Sequence, residues 1–113
     1  QLAYVAENLI AGFGEKGIFL FDKQGNFIKQ VLKTGNFITG MAASNDYVLF
    51  TETGKTSPLS RTEGYIYFFD KYVNKKVFQF MIPNGSSAQA AYFNGNFYVL
   101  SDKGVLYSLK IVK

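Results

Sequence analysis

Residues Ile18 to Gly35 read IFLFDKQGNFIKQVLKTG. Ile18, Phe19, Leu20 and Phe21 are apolar in succession, and Phe27 to Leu32 forms a second strand-like run. Between them, Asp22-Lys23-Gln24-Gly25-Asn26 supplies residues that tolerate positive φ or make Asx turns. The stretch therefore reads as two strands joined by a hairpin. A sheet with one wet face would alternate apolar and polar residues, so a strand apolar at consecutive positions must be covered on both faces. Sheets stacked face to face provide that cover.

Working outward, the same order recurs. Ile66-Tyr67-Phe68-Phe69-Asp70-Lys71 repeats the first run and Lys76-Val77-Phe78-Gln79-Phe80-Met81 the second, while Leu106-Tyr107-Ser108-Leu109 is a weaker third copy of the first. Each is preceded by a segment closing on a small-acidic-x-Gly step: IAGFGEKG at Ile10–Gly17, YVLFTETG at Tyr47–Gly54 and FYVLSDKG at Phe97–Gly104. A recurring order of this kind is the mark of a repeat architecture. Each unit reads as four short strands, A to D. They are expected at 2–6, 9–14, 17–23 and 26–33, then 37–43, 47–52, 64–71 and 75–82, then 88–93, 96–101 and 104–112, eleven strands in all. The fold class expected is all-β, with antiparallel four-stranded units over 1–34, 35–84 and a three-strand remainder over 85–113, in a single domain. A β-sandwich is the alternative.

Four-stranded antiparallel units whose faces pack on their neighbours describe propeller blades. The Ile18–Gly35 stretch resembles the hydrophobic-x-hydrophobic-Phe-Asp-x-x-Gly-x-hydrophobic core of NHL-type, six-bladed propellers. The copy from Tyr65 to Gly85 is weaker, with Asn74 read as replacing the turn glycine, and it is also similar to PQQ-like blades. The resemblance implies about two and three-quarter blades, whereas closed propellers carry ~4–8. The expectation is the C-terminal part of a longer propeller, or a protomer that closes by self-association, each copy supplying a strand to the next.

Composition narrows the chemistry. Of 113 residues, 48% are hydrophobic and 18% aromatic, with twelve Phe, eight Tyr and no Trp, a balance that suits pleated, buried surfaces. There is no Cys and no His, which removes Cys- and His-based nucleophiles, disulfides, and the metal sites built on those ligands. No cofactor, metal site or catalytic set is expected. No apolar run approaches the ~18–20 residues of a membrane-spanning helix. Net charge is +4 with Arg61 the single arginine and the lysines dispersed, an arrangement poor in bidentate phosphate or base recognition, so nucleic acid is not expected as a partner.

Function is expected where the longer loops lie. In this strand order the B–C and D–A connections share one end of the stack. The second B–C connection, Gly54 to Glu63, is about eight residues longer than its counterparts. A partner-binding surface for a protein or a glycan is therefore placed at Lys55, Ser57, Arg61 and Thr62, with Lys33 and Asn84 beside them. Glu15, Glu52 and Asp102 share a column and read as hairpin-turn acids facing water, with a carboxylate cluster for a hard cation as the sharper alternative. Asp22 and Asp70 are expected to cap turn amides. Asn84-Gly85-Ser86 fits a glycosylation sequon. Gly12 to Gly17 matches GxGxxG, but an apolar strand follows where the dinucleotide motif needs a helix N-terminus.

The expectation is a non-catalytic binding or scaffold module that works through its loop face or by self-assembly. Propellers of the resembling families include lyases, lactonases and quinoproteins, so a fragment of such an enzyme is an alternative, as is a structural subunit of an extracellular assembly. An extracytoplasmic or secreted location suits Cys-free, Asn- and Tyr-rich repeats.

Overall fold

In the computed structural model, the backbone is described for residues 2–6, 9–14, 17–57, 60–61 and 63–112, and the side chains for 9–14, 17–54 and 63–112. All the regular elements among them are strands. No helix among the described residues is long and apolar enough to cross a membrane.

The first sheet is an antiparallel meander of β1 (Leu2–Ala6), β2 (Leu9–Gly14), β3 (Gly17–Asp22) and β4 (Phe27–Lys33). In the second, β5 (Ile38–Ala43) and β6 (Tyr47–Glu52) are followed by a separate two-stranded hairpin, β7 (Lys55–Ser57) and β8 (Ser60–Arg61). The meander then resumes with β9 (Gly64–Asp70) and β10 (Lys76–Ile82), β6 pairing directly with β9. The third sheet has β11 (Ala91–Phe93), β12 (Asn96–Leu100) and β13 (Leu106–Leu109). The eleven expected strands are all present, those of the third sheet shorter than expected, and the β7–β8 hairpin is additional.

The second sheet is the filling of the stack. Its side chains alternate between two cores, as a period of two requires. Val48, Phe50, Tyr67 and Phe69 pack towards Ala11, Phe13, Ile18 and Leu20 of the first sheet. Leu49, Ile66, Phe68 and Ile82 pack towards Phe97 and Val99 of the third. Edge-to-face rings bridge each gap: Phe13 to Phe50 at 5.7 Å between centroids, and Phe68 to Phe97 at 5.2 Å. Four consecutive residues of β9, Ile66 to Phe69, are almost wholly inaccessible, and each large apolar side chain so buried contributes about 1.5–3 kcal/mol. A register shift between Ile38 and Gly40 turns Ile38 to the first core and Ala42 to the second, the effect expected of a bulge.

The sheets meet most closely at their inner strands, β5 lying against both β2 and β11. Their outer strands β4 and β10 are largely exposed. The layers thus converge on one side and open on the other.

Two hairpin turns join the third and fourth strands of the complete sheets. Asp22 Oδ1 accepts the amides of Gln24 and Asn26 at 3.0 and 2.9 Å, and Asp70 Oδ1 accepts that of Asn74 at 2.8 Å. Both acids therefore cap their turns. The sequence reading is corrected at one position: the residue that takes the place of Gly25 is Val73, not Asn74. The Gly25 and Val73 amides make the same bond, to the Asp22 and Asp70 carbonyls, and both residues have positive φ, 88° and 53°.

Candidate functional site

The connections β4–β5, β6–β9, β10–β11 and β12–β13 gather at one end of the stack, and backbone contacts tie them together. The Thr53 amide donates to the Phe37 carbonyl, Thr53 bridges Gly85, the Ser86 amide donates to the Glu52 carbonyl at 3.0 Å, and the Asp102 amide donates to the Gly85 carbonyl at 2.9 Å. The close approach depends on glycine. A Cβ on Gly85 would collide with the backbone of Glu52, Thr53 and Gly54, and its φ of 62° lies in the left-handed region.

Beneath these loops lies a hydroxyl network. Thr39 Oγ1 has one proton to give; at 2.6 Å the Ser86 carbonyl is its nearest acceptor, leaving Thr39 to accept from Thr51 Oγ1 at 2.9 Å. Ser86, fully buried, donates through Oγ to the Leu100 carbonyl at 2.7 Å. Asp102 receives the amide and the hydroxyl of Ser87, both at 2.7 Å. Among the described residues no buried side-chain polar atom lacks a partner, so this base is held by satisfied bonds rather than left soft.

Glu52 corrects the turn-acid reading. It is 3% exposed, faces inward at the end of β6, and accepts the Tyr65 amide at 3.0 Å and the Tyr67 hydroxyl at 3.2 Å. Burial pushes its carboxyl up from the usual range, opposed by those two bonds and by one from the Asn36 amide. Burial and the neighbouring Glu52 carboxylate push the Tyr67 phenol upward. Asp102 is bound to Ser87, and Glu15 lies outside the described residues. Among the described residues no group of three or more Asp, Glu, His or Cys stands together for a metal ion.

Of the expected partner-binding residues, Lys33 is exposed at the end of β4, and Asn84 is half-buried with a φ of 65° in the β10–β11 connection. The backbones of Lys55 and Arg61 are register partners across the β7–β8 hairpin, and Ser57 pairs with Ser60. The side chains of Lys55, Ser57 and Arg61, and Thr62 altogether, lie outside the described residues. The hairpin springs from Thr53 and Gly54, so the structure brings its base and the Gly85 loop together. In the sequon, Ser86 is buried and its hydroxyl engaged. The GxGxxG stretch runs from β2 into β3, a strand.

The Glu52–Tyr67 pair and the Thr39–Thr51–Ser86 network were not found from sequence. The available signal was an acid continuing a strand apolar on both faces, a position that folding turns inward.

These features define the class of the molecule: an all-β stack of antiparallel meanders with one loop-bearing end on a rigid polar base. No protein-family model matches the chain, and no curated protein does.

Proposed function

We propose that the chain is a non-catalytic, propeller-type binding module that holds a protein or glycan at its loop end. The observation that carries this reading is the convergence of the loops on a fully bonded base, with the β7–β8 hairpin standing on it. Loops mounted on a rigid scaffold are where binding residues concentrate. The closing of the layers on their inner strands supports blade-like packing.

The test compares the wild-type chain with Lys55→Ala/Arg61→Ala and, at the far end, Lys23→Ala/Lys71→Ala, on a glycan array and in protein pull-downs. The expected result is a ligand lost at least tenfold, about 1.4 kcal/mol, in the first variant alone. Equal retention by all three overturns the reading.

A second reading, self-assembly, rests on a separate observation. Phe93, Leu100 and Leu106 are 71%, 45% and 63% exposed on the outward face of the third sheet, and Phe27 is 60% exposed on the first. Exposed apolar groups collected on a sheet face mark interaction surfaces. Light scattering at two concentrations decides it, with a mass above 12.7 kDa that rises with concentration as the supporting result.

A further inference from the structure

The lysines are dispersed along the chain, yet the fold gathers six of the eleven on the open side of the stack, where β4 and β10 form the margins of the first two sheets. Lys23 lies in the turn before β4, and Lys29 and Lys33 on that strand; Lys71 and Lys75 lie in the turn before β10, and Lys76 opens it. All six are exposed. Lys29 Nζ donates to Asn74 Oδ1 at 2.7 Å, and Val31 and Leu32 pack on the core that holds Val73, so the two segments are neighbours although 45 positions separate Lys29 from Asn74. Both strands border the gap between the first and second sheets, and the surface they form lies within the stack rather than at either end of it.

Acids are scarce here. From Asp22 to Lys33 and from Asp70 to Ile82 the six lysines meet two acids, a balance of +4 that equals the net charge of the whole chain. Both acids, Asp22 and Asp70, are engaged by turn amides. Lys29 and Lys76 bond to neutral amide oxygens, those of Asn74 and Gln79, so neither charge is cancelled by a carboxylate. Apolar side chains stand among the lysines: Ile28, Tyr72 and Met81 are each nearly half exposed, and Val77 more than a third. Lysines alone would keep the margin of a sheet from pairing with other strands. Exposed aliphatic and aromatic groups beside them work against that purpose and mark an interaction surface.

The mixture selects the occupant. A linear polyanion would engage the lysines and leave Ile28, Val77 and Met81 in water. An anionic bilayer engages both, its surface charge drawing the ammonium groups while apolar side chains enter the interfacial layer. Lysine suits this role without any bidentate fork, since its apolar stem lies along the interface and its ammonium stays in water. We propose that the β4–β10 margin docks peripherally on an anionic lipid bilayer, with Lys29, Lys33 and Lys76 at the headgroups and Ile28, Val77 and Met81 inserted beside them. Insertion stops at headgroup depth, because the unpaired backbone groups on the open edges of β4 and β10 need water. This surface is separate from the loop end, and docking here does not depend on a ligand there.

The test pellets the 113-residue chain with vesicles of phosphatidylcholine, alone or with about a third of phosphatidylserine. The chain is expected to pellet with the mixed vesicles and to stay in solution with phosphatidylcholine alone. Each lysine near an anionic surface is worth about fivefold in partition, so Lys29→Gln/Lys76→Gln should bind about tenfold more weakly or worse. Lys103→Gln/Lys110→Gln, which removes as much charge from exposed positions elsewhere, should bind as the wild type does, and circular dichroism should be unchanged in both. The chain has no Trp, so Val77→Trp supplies a single reporter whose emission should shift to the blue on the mixed vesicles. Failure to pellet with the mixed vesicles, an equal loss in the two lysine pairs, or binding without the blue shift overturns the proposal. Stronger binding to poly-uridylate than to the mixed vesicles also overturns it and assigns the lysines to a linear polyanion.

Discussion

The β3–β4 and β9–β10 turns share a capping acid and a left-handed residue whose amide donates to that acid's carbonyl, yet they differ in what that residue does. Gly25 is exposed, and a Cβ there would meet nothing within 4 Å. Val73 adopts a comparable backbone with a β-branched side chain, a combination that costs about 1–3 kcal/mol. Its side chain is wholly buried in the core between the first and second sheets. The second turn is thus bent back onto the stack, and Lys29 Nζ of β4 reaches it, donating to Asn74 Oδ1 at 2.7 Å. One turn only reverses the chain; the other reverses it and packs. Burial of the isopropyl group, worth about 2 kcal/mol, is what offsets the strain.

The largest effect is expected from Val73→Asn. It accepts the left-handed backbone but buries an amide without partners, and thermal or urea denaturation should show a loss of about 3 kcal/mol. A gain in stability would mean that strain outweighs packing. Next comes Gly25→Val, which imposes the strain without the burial and should cost about 2 kcal/mol in the same measurement; a neutral result would erase the contrast between the turns. Val73→Gly removes burial and strain together, so its net cost should be smaller, about 1 kcal/mol.

A finer contrast sets the turn acid Asp22 against the loop-end acid Glu52. The Asn26 amide foremost, with smaller bonds from the Asn26 side chain, Gln24 and Gly25, holds the Asp22 carboxyl below its ordinary 3.8. Its contribution to stability is present above 3.8 and is lost as pH falls through the lowered value. Glu52 has the opposite sign: its raised folded-state value means that the folded chain binds a proton first, so stability from this group rises as pH falls from neutral towards 4.5. Denaturation midpoints followed from pH 7 to 3 should show that rise in the wild-type chain and a flatter profile in Glu52→Gln. An unchanged profile would show that Glu52 does not titrate differently in the two states.

The strands were legible because consecutive apolar residues at Ile18–Phe21 and Ile66–Phe69 admit few other readings, and the Asp-initiated turns announce themselves locally. Three things were not. The first strand of the β7–β8 hairpin lies within a Gly-Lys-Thr-Ser-Pro segment whose polarity resembles that of any loop. Glu52 reads as a solvated acid because sequence does not show that the 34–37 and 83–87 segments fold over it. Asn74 reads as the turn residue rather than Val73 because propensity favours asparagine in a left-handed position, and only the packing of one sheet on another reverses that preference. The last two are contacts between residues far apart in the chain, whereas the hairpin, which pairs Lys55 with Arg61, is local.

Strand β9 has neighbours on all four sides: β6 and β10 along the hydrogen-bonding direction, and a core on each face. No local opening frees its amides without parting three layers. In deuterium-exchange experiments its peptide groups should accordingly be the last in the molecule to take up label, at a rate that reports the opening of the whole chain. The amides of β4 and β10, each at the margin of its sheet, should label well before them.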